Sequence, residues 1–363
     1  MKILVYDIAA EDGGGLFVLK NFYEQVRARK EEQLEWIFMT SLPILEEIDS
    51  IKVMTYKWIK KSWLHRIFFE NFILPRIVKE IQPDLVLSLQ NMPIMHCNAK
   101  QMVYLHQSLQ YCPKKFSFFK DEERSLAIRQ RIICNMYKYG LKKAEHIFVQ
   151  TQWIKDATKE WIEFPEEKIT VVPVALGESP ISITPYVGYG KNVFFYPARA
   201  EIYKNHEVII QACRLLEAEG IRNYEVIFTV KPEENSYAMW LQKEAKGLPI
   251  KFIGQTEYDG VWEYYLKSVL IFPSYLETCG LPLLEAKIAG SIILTSDMPF
   301  SHEALEDYEN TQYFEYDNPD MLASMMKCII KKETAYISPK QNKDKAEEKD
   351  LLSSVLEQMQ YMV

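Results

Sequence analysis

The chain has 363 residues, which is enough for two domains of ordinary size, each with its own buried core. Its 43 lysines and arginines against 50 aspartates and glutamates give a net charge of −7, so the surface as a whole lacks the positive field that would make nucleic acid an expected partner. No apolar run approaches the roughly 20 residues of a membrane-spanning helix, and the six scattered cysteines contain no C-x-x-C pair, which argues against a structural zinc site and a disulfide framework.

The chain opens on a strand-like pattern, KILVYDI, without the apolar core and cleavage site of a signal peptide, so we expect a cytoplasmic protein with reduced thiols. Short β-branched and aromatic runs then alternate with helical patterns, which predicts an α/β fold with parallel sheets covered by helices on both faces. Helices are predicted at 15–29 and 121–142. Strands of the first half are predicted at 2–8, 35–40, 51–56, 84–90, 101–106, 145–151 and 168–174.

The strand pattern restarts at NVFFYPA (192–198) and continues through EVIFTV, IKFIG, VLIFPS and SIILTS, each followed by a helix-like stretch. Residues 176–191 are rich in proline, glycine and hydroxyl side chains without helical periodicity, which predicts a hinge. We therefore predict an N-terminal domain at 1–175, a C-terminal domain at 192–340 and a tail at 341–363 that ends in an amphipathic helix.

The most informative stretch is PSYLETCGLPLLEAKIAG, residues 273–290. A strand ends there, Gly280 permits a tight turn, and a helix opens at Leu281, so free N–H groups at the helix start can attract a phosphate. Glu277 and Glu285 flank this turn at a spacing of eight, and carboxylates accept hydrogen bonds from sugar hydroxyls. This pattern predicts a site for a diphosphate attached to a sugar.

At these residues the sequence resembles the retaining glycosyltransferases of family 4, whose E-x7-E motif matches Glu277 and Glu285. The segment YPARAEIYKNHEVIIQA (196–212) resembles the family's Arg and Lys-Asn segment, with Arg199 and Lys204 at the matching positions. The resemblance covers nearly the whole chain. It implies the GT-B fold, in which two Rossmann-like domains face each other across a cleft and a C-terminal helix returns to the N-terminal domain.

Two further segments of the N-terminal half carry the resemblance. YLHQS places His106 at a strand end, where the family has a histidine that faces the sugar. The loop that closes over the donor in the family matches Gly13, Gly14 and Gly15. Each feature alone allows a simpler interpretation, because strand-end histidines are often structural and a glycine run is often only a turn before a helix.

The resemblance implies how a nucleotide-sugar donor is bound. Arg199 and Lys204 would neutralise its diphosphate together with the backbone around Gly280 and Leu281, although isolated cations of this kind are commonly surface residues. The chain contains no D-x-D motif, so we expect diphosphate binding without a metal ion and without a cofactor. Cys279 replaces an aromatic residue that is frequent in the family, which leaves the identity of the donor sugar open.

The implied chemistry is transfer of a hexose with retention, in which the leaving phosphate oxygen takes the acceptor proton. Glu277 would orient the sugar, Glu285 would bind the ribose, and His106 would reach the sugar from the N-terminal domain. No Ser/His/Asp arrangement or paired-acid alternative is evident in the sequence. The acceptor would be a saccharide or a lipid-linked molecule, as in polysaccharide or glycoconjugate biosynthesis.

Two basic aromatic clusters bear on the acceptor. YKWIKKSWLHRIFF (56–69) has four basic residues and no acid, which suits an anionic lipid surface at the inner face of the membrane but equally suits a helix packed on the sheet. A second cluster, KKFSFFK, occupies 114–120 in a predicted loop. A peripheral membrane contact and a packing role both remain open at this point.

Other functions compatible with the fold are a sugar-nucleotide epimerase, a phosphorylase or a catalytically silent scaffold. An epimerase would need acid and base residues that we cannot identify, and a phosphorylase would usually need pyridoxal and a longer chain. A silent scaffold would have no need for all four residues of the expected donor site, Arg199, Lys204, Glu277 and Glu285.

Overall fold

The computed structural model describes residues 1–11, 13–29, 31, 33–174, 186–188, 190–338 and 349–361. The chain divides into two compact units. Unit 1 contains Met1–Gln110, Arg129–Ala175 and Ala346–Val363, and unit 2 contains Tyr111–Ile128 and Leu176–Lys345. Most of the predicted hinge at 176–191 lies outside the described residues.

Unit 1 is built on a seven-stranded parallel sheet, and each strand predicted in the first half is present. The strands are β1 (Lys2–Asp7), β2 (Glu35–Thr40), β3 (Ile51–Thr55), β4 (Leu85–Ser88), β5 (Lys100–Leu105), β6 (His146–Val149) and β7 (Ile169–Val171). Their order across the sheet is β3-β2-β1-β4-β5-β6-β7.

The helices that follow these strands are α1 (Gly13–Arg29), α2 (Trp63–Phe68), α3 (Leu74–Ile81), α4 (Asp121–Ile128), α5 (Cys134–Leu141) and α6 (Gln152–Ile162). The helix predicted at 121–142 is interrupted by a π-helical turn at Arg129–Ile133, between α4 and α5. The turn begins at the residue where the chain passes from unit 2 back to unit 1.

Strand β1 shows why the sheet is covered on both faces. Ile3 and Val5 belong to one core cluster, whereas Leu4 and Tyr6 belong to another. Since successive side chains of a strand point to opposite faces, an apolar run without alternation requires a core on each side. This is the arrangement that the sequence predicts.

Unit 2 contains a six-stranded parallel sheet with the order β10-β9-β8-β11-β12-β13. Its strands are β8 (Val193–Tyr196), β9 (Glu225–Phe228), β10 (Ile250–Phe252), β11 (Val269–Phe272), β12 (Ile293–Ser296) and β13 (Thr311–Phe314). Its further helices are α7 (His206–Ala218), α8 (Ser236–Glu244), α9 (Tyr258–Lys267), α10 (Leu281–Ile288), α11 (Pro299–Leu305) and α12 (Pro319–Ile330).

The last helix, α13 (Leu351–Gln360), belongs to unit 1, so the expected return of the C-terminal helix is confirmed. Leu352 and Val355 are fully buried in the core cluster that contains α1. Nη2 of Arg29 contacts Oδ2 of Asp350 at 2.8 Å, and Oδ1 of Asp350 caps the helix by accepting the N–H of Ser353 at 2.8 Å. Buried apolar area and a capped helix start hold the tail in place.

Both sheets have a topological switch point, where the strand order reverses. In unit 1 it lies between β1 and β4, and in unit 2 between β8 and β11. Ligands of open α/β sheets bind beyond the carboxyl ends of the strands at such points, because the connecting loops there diverge and leave a crevice. The loops after these four strands are therefore where a site is expected.

Within the described residues, no helix is both long and apolar enough to cross a membrane. All six cysteines are described and none forms a disulfide.

Candidate functional site

The unit 2 switch point brings together two segments that the sequence singled out. Arg199 follows β8 and is exposed, and Glu277 lies in the loop that follows β11. Since β8 and β11 are hydrogen-bonded neighbours, the two loops emerge side by side at one edge of the sheet.

Lys204 and Glu277 form a close ion pair at this edge. Nζ of Lys204 lies 2.5 Å from Oε1 of Glu277, and the two side chains are 20% and 15% exposed. At this low exposure the attraction is less screened than at an open surface. The pair is open enough for a ligand to reach and buried enough to be held in one geometry.

The pair depends on a short 3-10 turn, Ile202–Lys204, that is fastened to the Glu277 loop. The carbonyl oxygen of Tyr203 accepts the N–H of Tyr275 at 3.1 Å and the hydroxyl of Ser274 at 3.2 Å. The Lys204 carbonyl in turn accepts the hydroxyl of Tyr196 at 2.7 Å. Hydrogen bonds to these backbone carbonyls thus fix the main chain of Lys204 relative to the loop that carries Glu277.

Asn205 adds a connection that sequence reasoning missed. It has a left-handed backbone with φ 59°, and its buried side-chain amide donates to the carbonyls of Pro273 at 3.2 Å and Tyr316 at 2.7 Å. It therefore joins the turn to the loops after β11 and β13. The available signal was its place directly after Lys204 and before an apolar helix, since asparagine tolerates the left-handed conformation.

Gly280 forms the turn before α10, with φ +63°. Any other residue there would have a strained backbone, and its Cβ would lie 3.1 Å from Cδ1 of Leu283, so the backbone conformation favours glycine. The helix begins at Leu281, as the sequence predicts.

Cys279 occupies the position next to this turn. Burial, and secondarily the charge of Glu277, raises the pKa of its thiol to about 11, although the N–H of Leu281 acts in the opposite direction. The thiol is therefore neutral near pH 7 and adds no negative charge where an anionic ligand would bind.

Glu285 lies one turn into α10 and is held by tyrosines of α9. Its Oε2 accepts the hydroxyl of Tyr265 at 2.9 Å, and Tyr258 also hydrogen-bonds to it. Burial raises the pKa of the Glu285 carboxyl, and the two tyrosine hydrogen bonds offset this only in part. The sequence identified the carboxylate but not the tyrosines that orient it.

His106 lies at the end of β5 in unit 1. Its backbone N–H donates to Oδ1 of Asn91 at 2.7 Å, and its Nε2 lies 2.9 Å from the carbonyl oxygen of Leu89. A carbonyl can only accept, so Nε2 carries the proton. Burial lowers the pKa of the ring and keeps it neutral near pH 7, which leaves Nδ1 as the acceptor nitrogen.

The glycine segment of unit 1 lies beside His106. Gly13, Gly14 and Gly15 form the first turn of α1, where the sequence predicts a loop that precedes a helix at residue 15. A Cβ on Gly15 would lie 3.8 Å from Cε1 of His106. Gly13 has φ +57°, a conformation that a side chain disfavours. The structure thus brings the glycine segment and the histidine together at the carboxyl edge of the sheet.

Asp7 is a buried carboxyl at the unit 1 switch point that sequence reasoning did not identify. It is 2% exposed, and its Oδ1 accepts the N–H groups of Ala9 at 3.1 Å and Ala10 at 3.0 Å. Burial raises its pKa to about 6, against the effect of these hydrogen bonds and of the nearby cations Lys60 and Arg66.

This shift predicts how the stability of the protein depends on pH. An unfolded aspartate has a pKa of about 3.9, so between pH 4 and 6 the native state binds more protons than the unfolded state. The free energy of unfolding should therefore fall by about 2–3 kcal/mol as pH rises through this range, and Asp7→Asn should remove that dependence. Urea denaturation at several pH values measures the free energy of unfolding of both proteins. Asp156→Asn, on an exposed position of α6, is the control, and an unchanged pH profile for Asp7→Asn would contradict the assignment.

Among the described residues, no group of three or more His, Cys, Asp or Glu side chains is placed to hold a metal ion. The unit 2 edge carries the cations Arg199 and Lys204 and the carboxylates Glu277 and Glu285, among other polar groups, and these suit a phosphorylated, hydroxyl-rich ligand.

The first basic aromatic cluster, 56–69, has a buried part and an exposed part. Ile59 and Phe69 are buried in the core of unit 1, whereas Trp63, Leu64 and Phe68 are 59%, 75% and 51% exposed. One face therefore packs on the sheet, and the other presents large apolar side chains to the surface.

Two basic residues of this cluster are already paired. Nζ of Lys60 lies 2.6 Å from Oε1 of Glu11, and Nε of Arg66 lies 3.0 Å from Oε1 of Glu70.

Comparison with known proteins identifies a family model and curated relatives that each match roughly half of this chain. Residues 188–349 match the family model described as Glycosyl transferases group 1. The O-antigen chain mannosyltransferase RfbU of Salmonella typhimurium is 24% identical over 199 residues, which is 53% of this chain and 52% of RfbU. The serotype-specific mannosyltransferase WbdA of Escherichia coli is 27% identical over 205 residues, 52% of this chain and 25% of WbdA. The matches thus cover about half of one relative and a quarter of the other.

Solved structures resemble the chain over both units. The lipopolysaccharide outer core galactosyltransferase WaaB aligns with a TM-score of 0.64 at 16% identity, covering 93% of this chain and 92% of WaaB. The Anabaena protein HepE, solved with UDP and glucose, aligns with a TM-score of 0.65 at 14% identity over 100% of both chains. At such identities the likeness shows the fold, and it confirms the two-sheet GT-B architecture.

Proposed function

Because residues 188–349 match the Glycosyl transferases group 1 model, we propose that the chain is a member of this family and acts as a retaining, metal-independent glycosyltransferase that moves a hexose from a nucleotide-sugar to a saccharide or lipid-linked acceptor. The observation that carries the proposal is the Lys204–Glu277 pair at the unit 2 switch point, beside the Gly280 turn. A cation and a carboxylate held side by side suit a ligand whose phosphate adjoins its sugar.

The cations act on the leaving group. Breaking the glycosidic bond increases negative charge on the departing diphosphate, and Lys204 and Arg199 are the positive side chains of the two loops at this edge. Lys204 then exchanges part of its interaction with Glu277 for a phosphate oxygen. Fixed positive charge of this kind stabilises the transition state more than the ground state.

The carboxylates and the histidine act on hydroxyl groups. Glu277 orients the sugar next to the breaking bond, and Glu285, fixed by Tyr265, binds the ribose hydroxyls. His106 accepts a sugar hydroxyl through the unprotonated Nδ1 that its bond to Leu89 implies. The acceptor proton passes to the leaving phosphate oxygen, so the reaction needs no separate general base.

Mannose is the first sugar to test, because both curated relatives named above are described as mannosyltransferases. Polysaccharide biosynthesis follows from the same descriptions as the proposed process. The fold relatives WaaB and HepE, described with galactose and glucose, make UDP-galactose and UDP-glucose the natural comparisons.

A melting-temperature assay tests the proposal. GDP-mannose, UDP-glucose, UDP-galactose and dTDP-glucose are compared, with free mannose and ATP as controls. A donor at about 100 times its dissociation constant stabilises the native state by roughly 2.7 kcal/mol, and we expect such a shift for one nucleobase class. If no nucleotide-sugar or nucleoside diphosphate changes the melting temperature, the proposal is wrong.

Activity is expected to persist in EDTA. The cations at the diphosphate are side chains, so chelation should leave the rate of donor hydrolysis or transfer within about twofold of its original value. The measurement is release of nucleoside diphosphate before and after dialysis against EDTA. Loss of turnover that Mg²⁺ or Mn²⁺ restores would contradict metal independence.

A lipid-linked acceptor accords with the exposed face of residues 57–72. This face carries Trp63, Leu64, Phe68 and Phe72, the last 59% exposed, together with exposed Lys57 and Lys61. Apolar side chains flanked by lysines suit the surface of an anionic bilayer, where each nearby cation contributes about 1 kcal/mol.

Removing the charges of Lys57 and Lys61, which form no ion pair among the residues that the structure describes, should weaken membrane binding. Lys57→Gln with Lys61→Gln is expected to reduce sedimentation with phosphatidylglycerol vesicles about 10- to 30-fold, without changing nucleotide binding. Lys251→Gln with Lys267→Gln removes the same charge from unit 2 and should have little effect. Equal vesicle binding by both double variants and wild type would leave this face with a packing role only.

A further inference from the structure

Segment Tyr111–Ile128 belongs to unit 2, although the chain before and after it belongs to unit 1. It contains the second basic aromatic cluster, 114–120, which the sequence left open between lipid binding and packing. The donor site as proposed above makes no use of it. Phe116 and Lys114 of this cluster contact Tyr275, which lies in the loop after β11.

The segment is anchored by Phe116, which is completely buried. Its ring centroid lies 6.5 Å from that of Tyr275, a residue that is itself 2% exposed. Nζ of Lys114 lies 5.6 Å from the Tyr275 centroid, within cation–π range. Phe116 and Lys114 therefore both contact the aromatic ring of Tyr275.

The segment has an internal support that fixes its shape. Glu123 is 5% exposed and accepts the N–H of Ser117 at 2.8 Å, while Lys114 and Lys120 lie 3.4 Å and 3.5 Å from its Oε1. Burial alone would raise the pKa of Glu123, but this hydrogen bond and the two lysines outweigh burial and lower it. The ionised carboxylate therefore binds three residues of the loop, Lys114, Ser117 and Lys120. Phe119 remains 95% exposed.

Tyr275 connects this anchor to the donor site. Its N–H donates to the carbonyl of Tyr203 at 3.1 Å, and Tyr203 directly precedes Lys204. In the other direction along the chain, Tyr275 is two residues before Glu277. One aromatic residue thus contacts Phe116 with its ring and is linked by its backbone to both members of the ion pair.

We propose that Phe116 is a positioning residue for the Lys204–Glu277 pair, acting through Tyr275. Segment 111–128 supports the Tyr275 ring and so holds the cation and the carboxylate at their working distance. Phe116 itself contacts no substrate. The inference rests on the proposed function, because it assigns a role in that same site.

The test compares two phenylalanines of the same segment. Phe116→Leu and Phe116→Ala remove the anchor partly or fully, and Phe119→Ala removes an exposed ring as the control. The assay measures release of nucleoside diphosphate. The donor is the one of GDP-mannose, UDP-glucose and UDP-galactose that raises the wild-type melting temperature most. The assay temperature is one at which circular dichroism shows each variant to be folded. We expect kcat to fall about tenfold for Phe116→Leu and further for Phe116→Ala, and to stay within twofold for Phe119→Ala.

A double-mutant cycle separates positioning from general support. In a Glu277→Gln background the ion pair between Lys204 and residue 277 is already lost. Phe116→Leu should therefore change the residual kcat less than twofold. An equal loss in both backgrounds, or equal behaviour of Phe116→Leu and Phe119→Ala, overturns the inference while leaving the proposed function standing. If no donor changes the melting temperature of the wild-type protein, the proposed function is wrong, and this inference is wrong with it.

Discussion

Lys204→Ala is expected to weaken binding of the nucleoside diphosphate about 10- to 100-fold and to lower turnover by at least a further tenfold. The loss in binding corresponds to a charged hydrogen bond of about 1.5–3 kcal/mol. The additional loss arises because the charge on the phosphate increases as the bond breaks, so a fixed cation contributes more in the transition state. Removing the lysine also leaves the 15% exposed Glu277 side chain without its partner at 2.5 Å.

Calorimetry with UDP and GDP and steady-state kinetics measure the two effects separately. Arg199→Ala should act in the same direction. Lys267→Ala is the control, because this lysine pairs with Glu263 on the surface of α9. Unchanged affinity in both Lys204→Ala and Arg199→Ala would mean that these cations do not contact the diphosphate, and the donor site would have to be placed elsewhere.

The two glutamates should differ in which kinetic constant they control. Glu277→Gln is expected to lower kcat about 100-fold or more with a small change in nucleotide affinity, because its position beside Lys204 is close to the breaking bond. Glu285→Gln is expected to raise the dissociation constant of the nucleotide about tenfold while kcat at saturating donor stays within threefold, because a ribose contact is uniform along the reaction.

The same calorimetric and kinetic measurements decide this comparison, with Glu263→Gln as the exposed carboxylate control. If Glu285→Gln lowers turnover at saturating donor, or Glu277→Gln lowers only nucleotide affinity, the proposed roles of the two glutamates are wrong and would have to be exchanged.

Local features of the candidate site were predictable because they depend on neighbours in sequence. The turn at Gly280 follows from a glycine between a strand and a helix, and the start of α10 at Leu281 follows from the proline in its first turn. The strands of both sheets follow from short apolar runs. The spacing of Glu277 and Glu285 could be recognised as a motif without any knowledge of the fold.

The contacts that organise the site were not predictable in the same way. Lys204 and Glu277 are separated by 73 positions, and they meet because β8 and β11 are adjacent at the point where the strand order reverses. The strand order is a property of the assembled sheet, and the pattern of any single strand is compatible with several orders. For the same reason, the bridge from Asn205 to the loops after β11 and β13 could be found only in the structure.

The sequence by itself determined the class of the fold and the positions of its strands, and it identified the residues of the candidate site, since periodicity, turn chemistry and motif spacing are local properties. Tertiary structure alone decided that segment 111–128 packs in unit 2 and that Phe116 is buried while Phe119, three residues later, is 95% exposed. A basic aromatic run has the same composition whether its rings face a core or solvent. Burial depends on which surface the loop meets, and here that surface includes Tyr275, which is remote in the chain and near only after folding.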